Sequence, residues 1–269
     1  MFQRGIKIGN LFDNYLSYCS YKKSSLESGL LDLSKEMFIQ PTTLLPLIMF
    51  YKKEKSKMKL KLPSDSGVAT YIKIVTDSSS YFYSDGRSYL PIISLPKEKK
   101  SSLDILERLY QFTKEGKDYG GENTFKYLVG EMVDNIYQHS EFNNAMVMAQ
   151  KYPRKKYADI CFIDDGISIN GSFKKKGLRL EEDYIAIEEA INGLSTKDKD
   201  RGTGLNTNFR IFTEGLNGEI LIISGGGGVL YGKHSHVPYI LKQENILDGT
   251  LINIRMPCPS QVNMYEYIR

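Results

Sequence analysis

The sequence predicts an α/β protein, on the strength of three observations. Residues 102–140 carry two strongly amphipathic helical stretches, several β-branched and apolar runs follow them, and an earlier half has strand and helix signals of its own. Helices that precede a largely antiparallel set of strands imply an α/β sandwich over residues 101–269. LPKEKKSS at 95–102 joins a proline, four charges and two serines between a strand-like run and a helical one, which marks a linker. Residues 1–100 are therefore expected to form a smaller N-terminal α/β domain.

In chain order, LLDLSKEMFI (30–39) and KMKLKLP (57–63) read as strands flanking PTTLLPLIMFYKK (41–53). The proline and threonines of that middle run suit a helix start and its apolar positions suit a packed helix, so the pattern is β-α-β. In GVATYIKIVTD (67–77) the β-branched residues favour a strand and the apolar spacing a helix, and both stay open. Beyond the linker, SSLDILERLYQFTKEGK opens on a serine cap and sets Leu103, Ile105, Leu106, Leu109 and Phe112 at helical intervals. A second helix is expected from Glu122 to Ser140, with Phe125, Leu128, Met132 and Ile136 on one face. Strands are expected at NAMVMAQKY (144–152), YADICFID (157–164), GEILIISG (218–225) and TLINIRM (250–256). EEDYIAIEEAINGL (181–194) reads as an amphipathic helix, and SGGGG at 224–228 is the nearest approach to low complexity.

Composition excludes several functions. With 41% hydrophobic and 25% charged residues the chain falls in the globular range. A formal charge of +4, from 36 basic against 32 acidic side chains, is too small to argue for a polyanion surface, and runs such as YPRKKY and FKKKGLR read as solvated; no nucleic-acid partner is expected. Cys19, Cys161 and Cys258 have no zinc or dithiol spacing, and His234 and His236 lack a third ligand nearby, so neither zinc nor a disulfide is expected. The first residues hold no apolar signal core, and Met37–Tyr51, broken by Pro41 and Pro46, is shorter than the roughly 20 residues a membrane span needs. The expectation is a soluble, cytoplasmic protein.

Three segments carry candidate chemistry. In YLVGEMVDNIYQHS, Glu131, Asn135 and His139 are four apart, so each step turns about 400° and the three form one stripe roughly 12 Å long, suited to an elongated ligand. In IDDGIS, Asp164 ends a strand as a carboxylate able to accept from an amino group, and Gly166 lets a flat ligand approach the backbone. In DRGTGLNTNFRIF, Gly202 and Gly204 open a helical run, where unpaired N–H groups and the helix dipole favour phosphate. Each also has a plainer reading: a solvated helix face, an Asp-Gly turn and a glycine loop.

In sequence order, E-x3-N-x3-H on a helix, D-x-G-x-S after a strand, RGTGL opening a helix and DGTLINIRMP on a late strand resemble the N, G1, G2 and G3 boxes of the GHKL superfamily of histidine kinase-like ATPases. The resemblance covers about residues 102–269 and is closest to the histidine-kinase and anti-sigma-factor branch. It implies a Bergerat-type ATP-binding fold, a two-layer sandwich whose mixed, mostly antiparallel sheet is covered by helices. It further implies ATP and Mg2+ as cofactors, with Asn135 coordinating magnesium, Glu131 as general base and His139 toward the phosphates. Asp164 would accept from the adenine amino group, with Gly166 beneath the ring and Thr250 supporting the carboxylate. Backbone amides around Gly202, Thr203, Gly204 and Leu205 would hold phosphate, with Arg201 and Lys197 near them, and residues 171–201 would form a lid. Ser168 stands where the family carries a second G1 glycine.

Residues 1–100 resemble, through EMFIQPTTLLPLIMFY, the STAS-like modules that accompany some bacterial GHKL domains, which implies a regulatory or partner-binding role. Two functions follow from these resemblances. One is magnesium-dependent ATP hydrolysis or phosphoryl transfer to a regulatory protein partner in bacterial-type signal transduction. The other is a non-catalytic, ATP-controlled interaction module with a nucleotide-gated lid. A homodimer is compatible with both. A self-phosphorylating histidine kinase is disfavoured, because no long paired helices present a phosphoacceptor histidine.

Overall fold

The computed structural model describes residues 10–76, 88–99, 103–112, 116–194 and 204–267. The N-terminal part consists of α1 (Leu11–Ser28), β1 (Leu30–Asp32), α2 (Pro41–Glu54), β2 (Lys59–Lys61), α3 (Ser66–Thr76) and β3 (Tyr89–Ser94). There follow α4 (Leu103–Phe112), β4 (Tyr119–Gly120), α5 (Glu122–His139), β5 (Ala145–Tyr152), β6 (Tyr157–Asp164), α6 (Ile169–Lys175), α7 (Asp183–Ile191) and α8 (Gly204–Arg210). The chain closes with β7 (Glu219–Gly225), β8 (Gly227–Gly232), β9 (Ser235–Ile240), β10 (Leu247–Pro257) and β11 (Ser260–Gln261). Among the described residues no helix is long and apolar enough to cross a membrane.

Seven strands make one sheet in the order β3-β5-β6-β10-β7-β8-β9, and each neighbouring pair is antiparallel, so the expected mixed sheet is antiparallel throughout. The expected β-α-β pattern is present as β1 and β2, a parallel pair joined through α2. The ambiguous segment from 67 is the helix α3. β4 and β11 form a separate short parallel pair.

An antiparallel sheet with one wet face alternates apolar and polar residues. The central strands do not: every residue from Ala145 to Gln150 of β5 and from Ala158 to Asp164 of β6 is buried. Ala145, Val147, Ile160, Phe162, Ile254 and Ile222 face one way and join Leu128, Met132 and Ile136 of α5. Met146, Met148, Cys161, Ile163, Leu221 and Leu251 face the other way and join Tyr15 of α1 and Leu44, Leu45 and Ile48 of α2. That second face also buries Asp159, which receives a two-point contact from Arg255: Nε to Oδ1 at 2.8 Å and Nη2 to Oδ2 at 3.0 Å.

Two expectations are corrected by this packing. The two-layer sandwich has a third layer, because strands that are apolar on both faces need cover on both. The division at residue 100 falls between β3 and α4, yet β3 pairs with β5 as the edge of the main sheet, so residues on both sides of the linker share a sheet and a core. Leu45 is fully buried in the N-terminal layer. Leu45→Ala should lower unfolding stability by about 2–5 kcal/mol in urea titrations. An unchanged midpoint would mean that α2 is not packed as described.

Candidate functional site

The register of the three central strands sets Thr250 of β10 opposite both Asp164 of β6 and Ser224 of β7. All three share the parity of Phe162, Ile252 and Ile222, so they form a polar row on the α5 face at one end of the sheet. The Ser224 hydroxyl lies 2.9 Å from that of Thr250 and accepts the Ile169 N–H at 2.8 Å. Asp164 accepts the Gly166 N–H at 3.0 Å, and the backbone of Thr250 lies opposite it in the strand register. Burial pushes its carboxyl up to about 7; the Gly166 N–H and the nearby Thr250 backbone offset only part of that, and the neighbouring Asp165 charge adds to it.

The end of α5 is fastened to this row. The Ser140 carbonyl accepts the Ile167 N–H at 2.6 Å, and a Cβ on Gly166 would fall inside the Ser140 backbone, so no other residue fits there. Glu141 follows in a left-handed conformation (φ 51°) and is paired by Lys175 of α6. On the other side, Gly249 (φ +96°) presses against the Asp164 carbonyl. Glu131, Asn135 and His139 run half-buried along the flank of α5, beside its buried Leu128, Met132 and Ile136. The side chains of Glu131 and Asn135 make no hydrogen bond to another described residue.

Helix α8 starts at Gly204 and packs against both α5 and α7. Asn206 ties its first turn to α7, donating from Nδ2 to the Ile191 carbonyl at 2.9 Å, and the helix then widens into a π-helical turn over Ile211–Gly215. Lys197, Arg201, Gly202 and Thr203 lie outside the described residues, as does the side chain of Leu205. Of the residues expected at the site, Asp164, Gly166 and Thr250 are thus in direct contact, and the Glu131 stripe and Gly204 lie on helices that pack together.

Of the lid expected over residues 171–201, residues 195–201 lie outside the described residues. Ile187 and Ile191 belong to the main core, so α7 is a packed element. Asp183 anchors it, accepting from Asn170 Nδ2 at 2.7 Å and from the Gly226 N–H at 2.6 Å. The glycine run is the β7–β8 hairpin on which this helix sits. Ser168, in place of a glycine, adopts an ordinary extended backbone (φ −64°, ψ 166°), and its hydroxyl caps α6 by accepting the Gly171 N–H at 3.0 Å.

Sequence reasoning missed Ser224, Asp183 and Asn208. Asn208 is 1% exposed, neither of its amide atoms has a hydrogen-bond partner, and it borders a void of about 10 Å³ with Met132, Phe212 and Ile252. That space suffices for at most one water. The available signal was an asparagine inside an apolar helical run. No protein-family model matches the chain, and no curated protein matches it.

Two outcomes are expected. Gly166→Ala should destabilise the fold by about 1–3 kcal/mol, whereas Ser168→Ala, which removes a cap, should cost about 1 kcal/mol; equal small losses in thermal unfolding would contradict the close approach at Ser140. The carboxyl of Asp164 is raised, so its contribution to stability is complete below the unfolded value near 4 and is lost as pH climbs through about 7. Asp164→Asn should therefore gain stability relative to the parent between pH 5 and pH 8, and a pH-independent difference in melting temperature would refute the raised value.

Proposed function

We propose that the polar row and the α5 flank bind ATP with magnesium, and that the protein is an ATPase or protein kinase of the GHKL type. The reading takes the sheet with α4, α5, α7 and α8 as a Bergerat-type core to which α1–α3 add a further layer. One observation carries it: the contact of Gly166 with Ser140 joins a buried strand-end carboxylate to the helix bearing Glu131 and Asn135.

The donor set suits the ligand. A carboxylate has about four lone-pair positions, and the single Gly166 N–H leaves Asp164 able to accept from an amino group such as that of adenine. Thr250, bonded to Ser224, steadies that carboxylate. Among the described residues no three His, Cys, Asp or Glu side chains are grouped to hold a metal, and the reading requires none. Magnesium accepts one protein amide oxygen, here from Asn135, with phosphate oxygens and water completing its shell. When bound it would supply neutralisation of phosphate charge.

Glu131, half-buried and with no side-chain hydrogen bond to another described residue, would take a proton from water or an acceptor hydroxyl. His139 and Arg201 would lie toward the phosphates, and the N–H groups of residues 202–205 would receive them. The β1-α2-β2 layer would serve a regulatory protein partner in signal transduction, and a cytoplasmic setting belongs to the same proposal. The alternative, a lid that switches a binding surface without turnover, draws less support, because α7 is held in the core by Ile187 and Ile191.

Calorimetric titration with ATP, ADP and GTP, with and without magnesium, tests the reading. Asp164→Asn should abolish the preference for adenine and Asn135→Ala the dependence on magnesium. ATP affinity of the parent should fall as pH drops below about 7, where Asp164 gains a proton and ceases to be a full acceptor. Glu131→Ala should bind ATP but turn it over about 10²–10⁴-fold more slowly. Absence of ATP binding by the parent would end the proposal, and unaltered turnover in Glu131→Ala would remove the catalytic role of that residue.

A further inference from the structure

A cavity of about 300 Å³ opens on the sheet face opposite the polar row, between α1, α2 and the ends of β5, β6 and β10. This volume is at the lower end of the range that small-molecule sites occupy. Its walls are apolar: Pro46, Met49 and Phe50 of α2 face Met146, Ile163 and Leu247 of the sheet, and Leu26 stands 58% exposed in its lining. Methionines on two sides give the walls shapes that adapt to a ligand.

The charges around this cavity are unequally satisfied. Asp165 is fully engaged by the loop before β5, accepting from the Asn143 and Asn144 N–H groups at 2.7 and 2.6 Å and from Asn144 Nδ2 at 2.7 Å. Glu54 pairs with Lys57 at 3.3 Å and Asp248 with Lys53 at 3.4 Å. Two lysines are left over. Lys22 reaches only the Ile246 carbonyl, at 3.4 Å, and Lys52 has no hydrogen bond or ion pair with another described residue. Burial and the nearby Lys55 hold the Lys52 amine below its usual range, so an anion there would relieve an unfavourable charge.

We infer that this cavity binds a small amphipathic carboxylate, with the apolar body against Met49, Met146, Ile163 and Leu247 and the carboxylate between Lys22 and Lys52. The site is independent of the nucleotide reading. A neutral apolar molecule would leave both ammonium groups uncompensated, and a cation would add to them, so charge as well as shape selects the ligand.

Octanoate is the probe. Followed by the methyl NMR signals of Ile163 and Leu247, its titration should saturate, octylammonium of the same chain length should not, and Lys22→Gln/Lys52→Gln should weaken octanoate by about tenfold or more. Both lysines are on the surface side of their helices, so the double variant keeps the core, and its unchanged methyl spectrum without ligand checks this. No saturation with the parent protein, equal binding of octylammonium, or full affinity in the folded double variant would each overturn the inference. So would a response to anionic vesicles with none to monomeric octanoate, which would indicate a membrane surface instead. ATP titration of the same variant separates the two sites: it should be unchanged, whether or not the nucleotide reading holds.

Discussion

The backbone at Asp164 is clamped from two sides, by Gly166 against the Ser140 carbonyl and by Gly249 against the carbonyl of Asp164 itself. With no side chain at either glycine, the end of α5, the end of β6 and the bend in β10 come within backbone contact. This closeness strips water from the Asp164 carboxyl and supplies the Gly166 amide in its place, which only partly compensates for lost hydration. The raised pKa, the alignment with Thr250 and Ser224, and the position of the Glu131 stripe all follow from that approach. A larger residue at 166 would move the helix and the carboxylate apart together.

The third layer has an equally simple origin. Strands β5 and β6 carry apolar residues at both parities, so a sheet covered only by α5 and its neighbours would leave Met146, Met148, Cys161 and Ile163 in water. Helices α1 and α2 remove that surface; the same face buries the ion pair of Asp159 with Arg255, whose disruption at one partner would leave a buried charge uncompensated. The absence of alternation in AMVMA and DICFI was legible in the sequence as two-sided burial. The linker signal at 95–102 obscured it, since a charged, proline-containing segment marks a surface crossing equally well whether it joins domains or merely leads from an edge strand to the next helix.

Local chemistry was easier to read than long-range packing. The helix α5 and the strands β5, β6, β7 and β10 were evident because their patterns are long and regular, and Asp164 and Gly166 stood out because a strand end and a turn coincide. Helix α1 escaped notice: its buried Leu11, Tyr15, Tyr18 and Cys19 have helical spacing, but tyrosines and serines blur the contrast between its faces. The β8–β9 hairpin was hidden for another reason. Glycine weakens any strand signal, and at 225–228 it serves the N-terminus of α7, which no reading of residues 218–232 alone would bring into view. Ser224 went unremarked with it, although the register that places it beside Thr250 is what completes the polar row.

Alternation along a strand has a final consequence here. Asp164 turns toward α5, while the next residue, Asp165, lines the cavity beneath α1 and α2, and Leu247 and Thr250, two residues before and one after Gly249, divide in the same way. The two faces of the sheet therefore meet at one pair of loops, fixed by the bonds of Asp165 to Asn143 and Asn144 and by the Gly166 approach to Ser140. A ligand on either face can influence the other through these loops, and any such influence must be equal in both directions. Because these loops are held by short hydrogen bonds and by contacts that admit no side chain, the connection is stiff. It would pass on a change in charge at Asp165 more readily than a movement of the strand.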